Sequence, residues 1–319
     1  MYEETFDNNR TMISRVILLG FQVSPLFRRI LFSLFLIIYC VTMYGNLQTI
    51  TLVSYSKNLQ TPMYTFLTQL SISDILLSSD IVPSLLYVLL SNSGVMSFSS
   101  CIAQFYFFIL TEIYDTVLLT VMSYDRFMAI CNPLMYNTVM SHVFCVQLIV
   151  LSWSLSIFVS LIEFITVYNL WFCGPNIIDH FFCDMEPLLD LSCSDISMVQ
   201  IEMIIFSIPM IIFPFGFITI SYIKIIYSIL RISSTTGRQK AFSTCSSHLA
   251  VVSIFYGTLF FTYVLPTRGQ PWDLSKIVSL LYTVFTPLIN PIIYSLRNKD
   301  IKSALVKFVH SFHSNFLSK

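Results

Sequence analysis

Seven long apolar stretches constrain the fold of this 319-residue chain more than any other feature. Each is long enough for an α-helix to cross the hydrocarbon core of a bilayer, which takes roughly 20 apolar residues. Strands of a membrane barrel are shorter and alternate in polarity, which excludes them here. The sequence therefore predicts an all-α integral membrane protein built as a bundle of seven transmembrane helices. The predicted spans are residues 30–55, 63–90, 101–130, 144–166, 199–230, 240–264 and 273–295.

The composition favours a lipid environment over water. Hydrophobic residues make up 55% of the chain and charged residues 11%, whereas soluble domains contain about 25% charged residues. A soluble fold could not bury that much apolar surface and keep a polar shell. The formal net charge is zero, so we expect the lipid bilayer, and no nucleic acid, among the partners.

The distribution of basic residues predicts the orientation. With the amino terminus outside, eleven of the 17 Lys and Arg residues fall on the inner side, as the positive-inside rule requires. The loop at 167–198 contains five acidic residues and no Lys or Arg, which places it outside. The sequon that begins at Asn9 predicts glycosylation on the same side. We therefore expect a multi-pass plasma-membrane protein with an extracellular N-terminus and a cytoplasmic C-terminus.

The chain divides into three predicted segments: an extracellular tail at 1–25, the membrane domain at 26–296 and a cytoplasmic end at 297–319. In the last segment Ile301, Leu305 and Phe308 share one helical face, with lysines beside it. This pattern predicts a short amphipathic helix on the inner leaflet.

Four cysteines, Cys101, Cys173, Cys183 and Cys193, fall on the predicted outer side, where disulfides can form. Four cysteines allow three pairings, and their spacing does not choose among them.

Carboxylates inside the predicted spans are the first candidates for function, because charge at bilayer depth is costly. Asp74 and Asp115 could face each other, and two carboxylates in a low dielectric cannot both stay ionised without a counter-charge. A sodium ion or a shared proton would supply it; the alternative is hydrogen bonding to nearby Ser and Asn side chains. Glu112 could pair with a cationic ligand, or stay protonated and internally hydrogen-bonded.

Two motifs lie near the predicted inner ends of spans. Asp125 can hold Arg126 by charge-assisted hydrogen bonds as a latch that opens on activation, although a solvated ion pair is the simpler interpretation. Pro291, after Asn290, removes a backbone hydrogen bond, so Tyr294 could move between two packed positions. A plain structural kink is the alternative. We find no nucleophile elbow, P-loop or HExxH motif, so we do not expect an enzyme.

Several stretches of the chain closely resemble motifs of the odorant receptors, a family of rhodopsin-like G-protein-coupled receptors. The resemblance extends from about Leu18 to Phe308, and the motif KAFSTCSSHL and the ending SLRN are its most specific parts. The stretches are Leu59–Tyr64, Met122–Cys131, Ser221–Tyr222, Lys240–Leu249 and Pro287–Asn298.

The resemblance implies a receptor that binds a small odorant within the helix bundle and activates a heterotrimeric G protein, usually a stimulatory one that raises cyclic AMP. It implies no cofactor beyond a sodium ion held by Asp74 and Asp115. The competing hypotheses are a peptide or amine receptor of the same class, and a small-solute transporter.

The resemblance also implies roles for individual residues. Cys101 would bond Cys183, and Cys173 would bond Cys193. The expected ligand pocket lies between spans three, five, six and seven and is lined by Phe108, Ile109, Glu112, Phe206, Tyr256, Leu259, Tyr263 and Thr283. Residues expected to act in activation and G-protein coupling are Asp125, Arg126, Tyr222, Lys240, His248, Asn290, Pro291 and Tyr294.

The chain departs from the usual family pattern at four positions. Asp115 stands where the family usually has Glu, and its shorter side chain weakens the expected sodium coordination. Gln60 replaces the usual His and Phe127 the usual Tyr, close to the expected G-protein surface. Family members usually have a non-acidic residue at the position of Glu112, which predicts an amine-bearing or strongly hydrogen-bonding odorant.

Overall fold

The computed structural model describes residues 13–263, 272–297 and 301–308, and these residues are mostly helical. In chain order the helices are α1 (Pro25–Tyr55), α2 (Pro62–Ser91), α3 (Phe98–Cys131), α4 (Pro133–Val139), α5 (His142–Tyr168), α6 (Met185–Leu189), α7 (Ser197–Glu202), α8 (Ile208–Leu230), α9 (Thr235–Tyr263), α10 (Trp272–Leu280), α11 (Thr286–Arg297) and α12 (residues 301–308). A 3₁₀ turn covers Lys57–Leu59, and π-helical turns cover Met203–Ser207 and Leu281–Phe285.

Six helical segments of the described chain are long and apolar enough to cross a membrane. They are Pro25–Tyr55, Pro62–Ser91, Phe98–Cys131, His142–Tyr168, Ser197–Leu230 and Leu274–Tyr294. Helix α9 covers the predicted span 240–264, but its apolar part, Cys245–Phe260, is shorter than the other six. Its first two turns are polar, with Arg238, Gln239 and Lys240 among them.

Local signals in the sequence set where the helices begin. Pro25 occupies the first turn of α1, and the Ser24 hydroxyl accepts a hydrogen bond from the amide of Phe27. Ser97 and Ser141 cap α3 and α5 in the same way. These caps satisfy backbone amides that have no partner within the helix, so α1 begins five residues before the predicted span.

The core divides into two clusters of buried side chains, which we call inner and outer after the orientation predicted from the sequence: the inner cluster contains Tyr114 and the outer cluster contains Phe181. In the inner cluster the rings of Tyr114 and Trp153 stack with centroids 3.9 Å apart. Both donate hydrogen bonds to Gln69 Oε1, at 3.3 and 3.2 Å, which joins α2, α3 and α5. Large apolar side chains such as Phe213 remain exposed on the outward faces, as expected for helices that contact lipid.

A small sheet covers the outer end of the bundle. Strand β1 (Arg15–Leu18) pairs antiparallel with β2 (Gly94–Ser97) and parallel with β3 (Ile177–Ile178). The strands are too short to stand out in the sequence. Strand β1 belongs to the predicted tail at 1–25, so part of that tail packs on the bundle. Gly20 follows β1 with φ of +61°, and a Cβ there would lie 2.2 Å from Val88 Cγ1, so the turn requires glycine.

Helix α12 packs against the inner cluster. Ile301 is buried, Leu305 and Phe308 are partly buried, and Lys302 and Lys307 are exposed. The Phe308 ring meets Tyr55 of α1 edge to face at 5.3 Å. The three apolar residues thus share a buried face, while the position of this helix on a membrane leaflet stays a prediction.

Candidate functional site

A buried cavity lies where α2, α3, α9, the π-helical turn Leu281–Phe285 and α11 meet. The cavity has a volume of only about 10 Å³, which is room for about one water molecule. An odorant would therefore need these helices to separate. The lining residues are Asp74, Leu77, Phe108, Glu112, Asp115, Phe255, Leu259, Tyr282, Thr286 and Pro287.

Three of the residues expected to bind ligand, Phe108, Glu112 and Leu259, line this cavity. Ile109, Tyr256 and Thr283 are buried but are not in its lining. The Thr283 hydroxyl is engaged by its own helix, since it donates to the Ser279 carbonyl at 2.7 Å.

The fifth span contributes no residue to this lining. Phe206 lies in the π-helical turn Met203–Ser207 and is half-buried. The second span takes its place through Asp74 and Leu77. Tyr263 ends α9, but its side chain falls outside the description, and Asn9 lies outside the described residues altogether.

Asp74 and Asp115 both line the cavity, so the two carboxylates share one buried space. The Asn290 amide donates to both carboxylate oxygens of Asp74, at 3.0 and 3.1 Å. Asp115 Oδ1 has no hydrogen-bond partner among the described residues. A buried carboxylate oxygen without a donor, beside a second carboxylate, is chemically suited to a small cation.

The backbone gap that Pro291 creates in α11 is filled by α1. Pro291 has no amide hydrogen for the Pro287 carbonyl. Asn46 donates to that carbonyl at 3.1 Å. A Cβ on Gly45 would lie 3.1 Å from Pro291 Cγ, so the two helices approach closely. Asn46 therefore satisfies α11 rather than the carboxylates.

At the inner end of α3, Arg126 is held by its neighbour Asp125. Arg126 Nε donates to Asp125 Oδ2 at 2.9 Å, and Nη2 also donates to this oxygen. Tyr136 of α4 donates to the other oxygen, Oδ1, at 2.8 Å. Asp125 is fully buried and Arg126 is 8% exposed, so this is a buried network and not a solvated pair.

Three other residues expected in coupling, Tyr222, His248 and Tyr294, lie close enough to Arg126 to interact with its charge. Tyr222 of α8 and Nδ1 of His248 in α9 share a 2.5 Å hydrogen bond. Tyr294 is buried, and its hydroxyl has no partner in the part of the chain that the structure describes. Lys240 lies in α9, with its side chain outside the description. Lys224 Nζ lies 5.7 Å above the Phe127 ring, a cation–π contact at a position that departs from the family pattern.

Two disulfides hold the long outer loop. Cys101 at the start of α3 is bonded to Cys183, and Cys173 is bonded to Cys193. This is the pairing that the resemblance implies. Gln104 of α3 adds a polar tie, because its Oε1 accepts from the Cys183 amide at 3.0 Å.

The same loop is joined to the seventh predicted span. Lys276 Nζ lies 2.6 Å from Asp179 Oδ1. His180 packs against the rings of Phe181 and Phe182, and burial, together with the charge of Lys276, lowers its pKa to about 3. His180 is therefore neutral at physiological pH and packs as an uncharged ring against Phe181 and Phe182.

The sequence profile of the family described as "Olfactory receptor" matches residues 35–311. The chain belongs to the olfactory receptor family. Olfactory receptor 10A7 of Homo sapiens is 46% identical over 301 residues, which cover 94% of this chain and 95% of that protein. Olfactory receptor 1E16 of Mus musculus is 44% identical over 299 residues (94% and 95%), and olfactory receptor 5M5 of Mus musculus is 45% identical over 314 residues (98% and 97%).

Membership identifies the protein as an odorant-sensing G-protein-coupled receptor. It is a multi-pass membrane protein and not an enzyme. Its family implies odorant ligands and coupling to a G protein, so the cavity and the Arg126 network become the candidate ligand and coupling sites of this olfactory receptor.

Sequence reasoning missed several residues of these sites. Tyr282 and Leu77 line the cavity but give no signal in a single sequence, because their side-chain direction depends on how the helices are rotated. Tyr136 in the short α4 helix could have been found only through its contact with Asp125.

Proposed function

We propose that this receptor binds a small odorant with an amine or another strong hydrogen-bond donor, and then activates a stimulatory G protein that raises cyclic AMP. The observation that carries the proposal is the place of Glu112, a carboxylic acid in the wall of a buried, mostly apolar cavity. Small-molecule sites combine such an apolar lining with a few polar anchors. A cationic amine would neutralise Glu112 on binding.

Ligand binding would act by a population shift. The cavity is closed to anything larger than water, so an odorant binds better to an arrangement in which its walls have separated. Phe255 and Leu259 belong to α9, and Glu112 belongs to α3. An odorant between them would favour a tilt of α9, with Tyr256 repacking below it.

The tilt would reach the inner surface through α9. Its inner end, residues 240–248, includes His248, which is hydrogen-bonded to Tyr222. We propose that this end moves away from Arg126 and opens a cytosolic cleft for the C-terminal helix of a G-protein α subunit. In this proposal α9 is the sixth of seven crossings, and α12 lies on the cytoplasmic leaflet.

Cells that express the receptor with a cyclic AMP reporter and a stimulatory G protein test the proposal. A broad odorant panel should contain activators, and Arg126→Ala should abolish their effect at equal surface expression. An epitope tag at the amino terminus should stain without permeabilisation. Activators that signal only through another G-protein class would reject the stimulatory coupling.

Replacing Glu112 with Gln should selectively remove the responses to amines. A charge-assisted hydrogen bond contributes about 1.5–3 kcal/mol, so the half-maximal concentration of an amine should rise about 10- to 100-fold. Neutral odorants of the same shape should change much less. Dose–response curves for both classes provide the measurement.

Glu163→Gln is the matched control for this substitution. Glu163 is a buried carboxylic acid in α5 outside the cavity lining, so its replacement removes an acid without touching the proposed anchor. Amine responses that are unchanged in Glu112→Gln, or equally reduced in Glu163→Gln, would reject the role of Glu112.

We also propose that Asp74 and Asp115 hold a sodium ion in the closed arrangement. A ligand that binds only this state stabilises it by about 1.4 kcal/mol at ten times its Kd. Purified receptor should therefore melt a few °C higher in sodium chloride than in choline chloride of equal ionic strength. Asp115→Asn should erase this difference and Glu163→Gln should keep it. A sodium effect that survives in Asp115→Asn would disprove the site.

A further inference from the structure

Asp184 of the long loop is hydrogen-bonded to Tyr282, a residue of the cavity lining. Asp184 directly follows Cys183, so the disulfide to Cys101 fixes its position. The Tyr282 hydroxyl lies 3.3 Å from Asp184 Oδ2 and 3.2 Å from Ser279 Oγ. Tyr282 lines the cavity, and its ring lies 5.7 Å from that of Phe108. The Asp184 carboxylate of the loop is thus hydrogen-bonded to Tyr282, which lines the candidate ligand cavity.

The protonation of Asp184 determines the direction of this bond. Burial raises the pKa of Asp184 to about 6, so the group is mostly ionised at pH 7.4 and only accepts hydrogen bonds. Its other oxygen, Oδ1, accepts from the Met185 amide at 2.7 Å. A tyrosine hydroxyl has a single hydrogen. When that hydrogen goes to Asp184, the Tyr282 oxygen has only lone pairs to offer to a ligand.

Other polar groups in the cavity wall can also accept hydrogen bonds. The Thr286 hydroxyl donates its hydrogen to the Leu281 carbonyl at 2.9 Å, so its oxygen is left to accept. Asp115 Oδ1 has no donor among the described residues. Glu112 adds a third carboxylic acid to the wall, beside Asp74 and Asp115.

We propose that Asp184 is a specificity-determining residue of this receptor, acting through Tyr282. By taking the hydrogen of Tyr282 it makes that hydroxyl an acceptor, so the receptor selects odorants that donate a hydrogen bond and disfavours carbonyl odorants. This inference rests on the proposed function and adds to it, because Asp184 itself does not line the cavity. Asp184 is a positioning residue, and Tyr282 is the residue that meets the ligand.

Asp184→Asn is the most informative substitution. Its amide oxygen can still accept from the Met185 amide, while its amide nitrogen donates to the Tyr282 oxygen. The Tyr282 hydrogen is then available to Ser279 Oγ or to a ligand, so the hydroxyl can donate to a ligand where it could previously only accept. Tyr282→Phe removes the hydroxyl and leaves the ring in place.

The probes are n-hexylamine as the donor, because it is protonated at pH 7.4 and has no lone pair to offer, and hexanal and 2-hexanone as acceptors of equal chain length. Cyclic AMP responses are normalised to surface receptor in wild type, both single variants and the double variant. Asp184→Asn should lower the potency of donors relative to acceptors about three- to tenfold, the range of one hydrogen bond. It should have no effect on this ratio when Tyr282 is already Phe.

Two results overturn the inference. The first is an equal loss of donor and acceptor responses in Asp184→Asn, which marks a purely structural role. The second is that Asp184→Asn changes the ratio of donor to acceptor potency as much in the Tyr282→Phe variant as it does in wild type.

Thermal unfolding of purified receptor separates this inference from the proposed function. The two substitutions should shift the midpoint non-additively if Asp184 and Tyr282 are bonded, whether or not any odorant is active. If no six-carbon probe activates wild type while the shifts are non-additive, the proposed ligand class fails and the link between Asp184 and Tyr282 stands. Additive shifts of the unfolding midpoint would show that Asp184 and Tyr282 are not coupled.

Discussion

Replacing Cys101 with alanine should remove most of the receptor from the cell surface and abolish its odorant response. The disulfide to Cys183 spans 82 residues of sequence, and a closed loop of that length contributes roughly 4–5 kcal/mol by the chain-entropy estimate. That is a large part of the roughly 5–15 kcal/mol by which folded domains are stable. The loss has a local cause as well, because Cys183 positions Phe182 against Phe108 and Asp184 against Tyr282.

A graded series of cysteine variants tests the cause of this loss. Cys101→Ala with Cys183→Ala should be no worse than Cys101→Ala alone, because the bond is already lost. Cys173→Ala with Cys193→Ala should cost less, since their separation is only 20 residues. Cys145→Ala changes a buried free cysteine far from the loop and serves as the matched control. Surface staining of Cys101→Ala equal to that of Cys145→Ala would contradict the expectation.

The contrast between spans and cysteines shows what a sequence can predict here. Crossing a bilayer requires a certain length of apolar chain, so six of the seven spans were predicted to within about five residues of the helices in the described chain. The pairing of Cys101 with Cys183 depends on where a loop folds back, and spacing left three pairings open. The resemblance to a family, not the residues themselves, supplied the choice.

The cavity was predicted least well because its lining depends on helix rotation. Glu112 and Asp115 were identified because an acid within a span is conspicuous. Leu77 and Tyr282 look like ordinary packing residues until their helices are assembled. The outer sheet was missed for a related reason: β3 has only two residues, Ile177–Ile178, and forms only because β1 lies beside it.

Replacing Asp125 with asparagine should raise the activity of the receptor without any odorant. In the closed arrangement the buried Arg126 guanidinium is paired with Asp125, whose Oδ1 accepts from Tyr136. Removing one partner of a buried pair costs about 3–5 kcal/mol, because the other charge is left uncompensated. That penalty falls on the closed arrangement, and a shift from 1:99 to 99:1 needs about 5.5 kcal/mol. The ratio of active to closed receptor should therefore rise by at least about two orders of magnitude, so an active population of about 1% would become the majority, and basal cyclic AMP should rise strongly under the proposed coupling.

The network predicts an order among variants, which distinguishes release of Arg126 from general damage. Tyr136→Phe removes one hydrogen bond to Asp125 and keeps the ion pair, so its basal activity should lie between wild type and Asp125→Asn. Adding Arg126→Ala to Asp125→Asn should return the signal to background, because the freed guanidinium is the group that engages the G protein in this mechanism. Glu163→Gln, which removes a buried acid elsewhere, should leave basal activity unchanged. The decisive measurement is ligand-free cyclic AMP per surface receptor. If Asp125→Asn matches wild type, Asp125 does not restrain Arg126. The opening of the inner cleft must then be controlled by other contacts, such as the hydrogen bond between Tyr222 and His248.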